Sequence, residues 1–121
     1  MHELSIAMSL VEAACEEAER LGQVRVEALH VRLGPLSGVV SEALRFSFDL
    51  VADGTVIAGA RLEIEETELV VFCPRCERQR TLPTIQHFRC PVCHEPTPQV
   101  VHGRELELAS LEVTSHAAAD R

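Results

Sequence analysis

A chain of 121 residues with 46% hydrophobic side chains suffices for one ordinary domain, or for a small domain carrying a metal-held insert, and is too apolar for a disordered tail. Its net charge of −8 and its four Phe without Trp or Tyr leave little for gripping a phosphate backbone or stacking bases, which argues against nucleic acid as a partner. No apolar run approaches the roughly 20 residues needed to cross a bilayer, and the start lacks the charged-then-apolar pattern of a signal peptide, so a soluble cytoplasmic protein is expected, with no membrane contact.

The opening Met1-His2-Glu3 is a ready-made chelate. A terminal amine, the His2 amide nitrogen and the His2 imidazole close adjoining rings around one ion, and this nitrogen-rich, near-planar set suits Ni(II) or Cu(II) better than Mg or Ca. Met1 should survive trimming, because histidine is a large second residue. Residues 4–21 then read as an amphipathic helix, with Leu4, Ala7, Met8, Val11, Ala14, Cys15, Ala18 and Leu21 on one stripe and Gly22 as its stop. Glu3 lies where it can offset the repulsion between a cation and the positive end of that helix. Cys15 falls on the stripe and is expected to act as a small hydrophobe.

Residues 24–33 alternate, with a change of phase near Ala28 that suggests a strand with a bulge, and Gly34-Pro35 ends it. Ser41 is a candidate N-cap for a second helix over about 42–52, where Leu44, Phe48 and Val51 share a face. Asp53-Gly54 turns the chain, strands are expected over about 61–72, and the acids among them suit an exposed face. Residues 105–113 alternate again as a last strand, and 114–121 read as a flexible tail.

Between these strands stand Cys73-Pro74-Arg75-Cys76 and, thirteen residues on, Cys90-Pro91-Val92-Cys93. A two-residue gap lets a tight knuckle aim both sulfurs at one ion, and two knuckles make a closed tetrahedron of the zinc-ribbon type. Such a site is structural, so Cys73, Cys76, Cys90 and Cys93 are expected to hold Zn(II) as thiolates in a reducing compartment. Arg75, Arg78, Arg80 and Arg89 against Glu77 give residues 73–93 a local +3, the one feature favouring the alternative of a zinc-ribbon interaction or nucleic-acid-binding module. His94 follows the last cysteine directly and is a candidate for a part in a metal site; His87 and His102 read as loop residues. With no HExxH, and no open position for an activated water on four thiolates, an enzyme is not expected.

The start MHELS, the segments VRLGPLS and LRFSF, the CPRC…CPVCH pairs and the closing LELASLEV together make the chain resemble the HypA/HybF family of nickel metallochaperones, over Met1 to Val113. The resemblance implies an α+β protein in which two helices pack on a small sheet, with an inserted four-cysteine zinc-ribbon domain. It implies a nickel-binding domain over 1–72, completed by a returning strand at 103–113, and a zinc domain over 73–102. Nickel would lie on the Met1 amine, the His2 imidazole and the backbone nitrogens of His2 and Glu3, as cargo bound for the precursor of the [NiFe]-hydrogenase large subunit. A HypB-type GTPase would be the working partner, some relatives serve urease maturation proteins, and a homodimer is allowed. Relatives often carry a carboxylate just before the second helix; here that place holds Val40, with Glu42 two residues on.

Overall fold

The structure is a computed structural model that describes residues 2–22 and 24–115. The chain forms two compact units, one holding the stretch up to Val31, then Val39–Glu65 and the chain from Glu107 on, the other holding Arg32–Gly38 and Glu66–Leu106.

The first unit begins with α1, His2–Leu21, whose Ala- and Glu-rich sequence strongly favours a helix. Its buried stripe is Ala7, Leu10, Val11, Ala14 and Ala18. Relative to the expected face the stripe is turned toward Leu10, which leaves Met8 56% exposed, and Leu21, at the last turn, is exposed as well. Cys15 is half-buried against the same core. Gly22 ends the helix at φ +89, where its N–H reaches the Ala18 carbonyl at 3.1 Å, a left-handed position that glycine fills without strain.

Strand β1, Val24–Leu33, changes phase at Ala28–Leu29, both buried, so that it contributes Val26 before the shift and Leu29 and Val31 after it. Helix α2, Ser41–Ala52, packs against α1 and buries Leu44, Ser47, Phe48 and Ala52. Ser41 is not its cap. The helix already includes Ser41, and the N-cap is Val40, which has no side-chain oxygen to offer. The Arg45 guanidinium donates to the Leu62 carbonyl, tying α2 to β2, Arg61–Glu66. With β6, Leu106–Ser115, the sheet order is β2-β1-β6. Along β6 the half-buried residues are Leu108, Leu111 and Val113, so two successive residues, Ala109 and Ser110, both face outward. Leu108, Leu111 and Val113 pack on the same core as α1, α2 and β1.

The second unit is built on β3, Leu69–Cys73, which pairs antiparallel with β4, Arg78–Leu82, and with β5, Gln99–His102. The sequence places 69–72 with the strands of the first domain; in the structure this stretch instead belongs to the central strand of a separate sheet, ordered β4-β3-β5, and the second unit, which already holds Arg32–Gly38, takes up the chain again at Glu66. Its apolar core is small: Leu69, Val71 and Leu82, flanked by Leu36, Phe88 and Val100. Leu36 belongs here because the Gly34–Ser37 turn lies against Gly103–Glu105, with Gly34 N–H on the Glu105 carbonyl and Leu36 N–H on that of Gly103, both 2.7 Å. A Cβ on Gly34 would meet the Gly103 oxygen at 2.2 Å, so only glycine allows the two backbones to approach this closely. The Glu105 carboxylate braces the junction, accepting from the Thr67 hydroxyl at 2.8 Å and the Gly103 N–H at 2.9 Å.

Candidate metal centre

Cys73 is the last residue of β3, and alternation along that strand puts it on the buried face with Leu69 and Val71. A tight turn follows, in which the Cys76 N–H donates to Cys73 Sγ at 3.3 Å, and Glu77 leaves it with φ +55. The second knuckle repeats the device: the Val92 N–H donates to Cys90 Sγ at 3.4 Å, His94 N–H bonds the Cys90 carbonyl at 2.9 Å, and His94 has φ +67. Glu77 and His94, each directly after the second cysteine of its pair, therefore both hold a left-handed backbone that side-chain-bearing residues resist. The second knuckle is closed by Cys90 N–H on the Glu95 carbonyl and by the Arg89 guanidinium on the His94 carbonyl at 3.2 Å.

The knuckles bring the four sulfurs of Cys73, Cys76, Cys90 and Cys93 within 4.8 Å of one another, with Cys73–Cys93 at 3.5 Å and Cys76–Cys90 at 3.9 Å. None is in a disulfide. Four sulfurs around Zn(II) at its usual bond length stand about 3.8 Å apart, so this donor set fits a closed tetrahedral zinc. Burial raises the Cys90 thiol, but the N–H groups of Cys93 and Val92 more than offset this and bring it down to about 6. At Cys93 the Glu95 N–H favours the thiolate, yet burial and the sulfurs of Cys73, Cys76 and Cys90 push it up to about 12. Four negative sulfurs cannot share this space without a cation. The arrangement is therefore suited to a divalent ion, whose binding would release protons.

No histidine joins this cluster among the described residues. His94 and His87 are exposed, and His102 Nδ1 lies 3.4 Å from the Glu105 carboxylate. Of the N-terminal trio, Met1 lies outside the described residues, as does the His2 side chain, while the His2 backbone opens α1. Glu3 is placed: its carboxylate accepts the Val40 N–H at 3.2 Å. The start of α1 thus supplies the carboxylate that Val40 itself lacks at the start of α2.

Two residues of the second unit have parts that the sequence does not signal. Arg80 was counted only as one charge of the local +3; the structure places it on β4 beside the sulfurs of Cys76 and Cys90, which hold its guanidinium above its ordinary pKa. The second is the Glu105 brace. A run such as RQRTL gives no burial signal, and only its position just after the first knuckle hints at a strand facing the site.

Two helices on a three-stranded sheet, followed in the chain by a unit clasped around four thiolates, define a small two-unit metal-handling protein. The family model for hydrogenase/urease nickel incorporation, the metallochaperone HypA, matches residues 1–113. A hydrogenase maturation factor HypA of Chloroflexus aurantiacus is 54% identical over 112 residues, covering 93% of this chain and 98% of that relative. Among solved structures, the solution structure of a HypA protein has a TM-score of 0.68 at 27% identity, covering 94% of this chain and 97% of its own. The solution structure of the Ni metallochaperone HypA from Helicobacter pylori has a TM-score of 0.63 at 23% identity, over 93% and 97% of the two chains, and shares the fold. The chain belongs to the HypA family of hydrogenase/urease nickel-incorporation metallochaperones, proteins of the hydrogenase maturation machinery. Among the described residues no helix is long and apolar enough to cross a membrane.

Proposed function

We propose that this chain binds Ni(II) through the Met1 amine, the His2 imidazole and the backbone nitrogens of His2 and Glu3, and delivers it during maturation of [NiFe]-hydrogenase. Zn(II) on Cys73, Cys76, Cys90 and Cys93 is a permanent structural ion, and nickel is cargo. The observation that carries the reading is the family match, which starts at the first residue and runs to 113. The helix start supports it. Because α1 opens at His2, the amides of its first turn have no acceptor within the helix and remain available as donors. Amine and amides must lose protons to bind, so nickel affinity rises with pH. Copper outranks nickel on such a nitrogen set, so supply and partners impose selectivity.

A chelate at a chain end can exchange donors one at a time, which suits transfer to the precursor of the large subunit, with a HypB-type GTPase as partner; urease maturation is a second route for the same cargo. The protein turns over no substrate, and its free thiols suit the reducing cytoplasm. The two-helix unit is the nickel domain and the four-thiolate unit the zinc domain. Calorimetry with Ni(II) on the native protein, on a form with one residue added before Met1, and on His2→Ala tests this. Both altered forms should lose tight nickel binding while keeping zinc and fold; undiminished loading of the extended form would refute the proposal.

A further inference from the structure

The register of the second sheet sets Leu69 opposite Leu82, Val71 opposite Arg80 and Cys73 opposite Arg78. Paired residues project to the same face, so Arg80 leaves β4 on the side that carries Val71 and the cysteine ending β3. This is an unusual place for an arginine. Val71 is fully buried, Leu82 nearly so, and Arg80 Nε is itself buried without a hydrogen-bond partner. Among the described residues no carboxylate pairs with it. On that face β3 ends in Cys73 of the first knuckle, and the charges that act on the guanidinium are those of Cys76 and Cys90, one from each knuckle.

We propose that Arg80 is the charge-compensating residue of the four-thiolate centre, spanning the two knuckles and holding their sulfurs in the metal-bound state. This rests on the reading of the four cysteines as a zinc site. Four thiolates and one Zn(II) sum to a charge of −2, and Cys73 and Cys90 carry their share of it out of water. A guanidinium keeps its charge at any pH the protein meets, and its planar fork can donate to two acceptors at once. It halves the net charge of the centre and draws electron density from the sulfurs it faces. Exchange of the ion and attack on the sulfurs both slow.

The test uses the zinc-loaded full chain as wild type, Arg80→Gln and Arg80→Lys. Two quantities are read: transfer of zinc to a chromophoric chelator, and the sulfur-to-metal charge-transfer band after substitution with Co(II). Arg80→Gln should release zinc roughly 10–100-fold more readily, the range for loss of a partner that supports metal ligands. Its band should move to lower energy, because the sulfur electrons are no longer held down by a neighbouring cation, and Arg80→Lys should recover most of the retention. The proposal is overturned if Arg80→Gln holds zinc as the wild type does. It is equally overturned if both variants lose zinc alike with the band unmoved, which would make Arg80 a packing residue. Wild-type protein that takes up no zinc sinks the four-cysteine reading itself, and the role of Arg80 with it.

Discussion

Gly34→Ala measures how tightly the second unit is sewn together. The added Cβ would lie 2.2 Å from the Gly103 oxygen and 2.4 Å from its carbonyl carbon, where ordinary contact begins near 3.4 Å. The two backbones must therefore part by about 1.2 Å. Neither the Gly34–Glu105 nor the Leu36–Gly103 hydrogen bond, each 2.7 Å, survives that separation. Losing two backbone bonds at about 1 kcal/mol each, with partly buried groups left unpaired, gives a destabilisation of about 3–5 kcal/mol. Gly38→Ala is the control: it has a left-handed φ of +77 but nothing within 4 Å of a new Cβ, so its cost is the conformational strain alone, about 1–2 kcal/mol. The chain has no Trp or Tyr, so urea unfolding is best followed by circular dichroism, with hydrogen exchange at the Leu36 amide as the local readout. A loss below about 1 kcal/mol for Gly34→Ala, or one no larger than for Gly38→Ala, would refute the reasoning.

Four further outcomes are expected. Glu3→Ala removes the acceptor of the Val40 N–H and should cost about 0.5–1.5 kcal/mol in urea unfolding, the usual net contribution of one hydrogen bond; an unchanged midpoint would mean the contact contributes nothing. Glu105 is held below the usual carboxylate range by its own N–H, the Thr67 hydroxyl, the Gly103 N–H and His102. Its stabilisation is therefore present above the unfolded value near 4.5 and is lost as pH falls through the lower folded value, so the gap of about 1–3 kcal/mol between wild type and Glu105→Gln at pH 7 should close in acid. Glu77→Gly and His94→Gly relieve left-handed strain and should each stabilise the zinc-loaded protein by about 1 kcal/mol, whereas destabilisation would assign these side chains contacts that outweigh the strain. Stripping zinc with a chelator should abolish amide protection in β3, β4 and β5 and leave that of α1 largely intact, because the buried apolar cluster under these strands is only Leu69, Val71 and Leu82.

What could be read in the sequence was whatever a strong period or a fixed spacing betrays. α1 and β1 were legible because their apolar residues recur over many positions, and the four cysteines because two knuckles at that separation have one common geometry. Met8 was misplaced because a window of alanines leaves the centre of a helix face undetermined until Leu10 finds its neighbours. Ser41 looks like a cap by residue type, but α2 already includes it and has no side-chain cap; instead Glu3, 37 residues away, accepts the Val40 N–H just before the helix, which no local rule can foresee. β4 and β5, RQRTL and QVVH, are short and polar and are strands only because β3 lies between them. Arg80 was lost for the same reason, since a charge acquires a role only once the strand bearing it is placed.

The broken alternation of β6 has its own significance. This ten-residue strand forms one rim of its sheet and contains neither proline nor a basic residue, the usual guards against edge-to-edge stacking. At Ala109–Ser110 two successive side chains turn outward, so a strand from another molecule laid along it would fall out of step halfway. The mismatch discourages a further strand from adding to this rim.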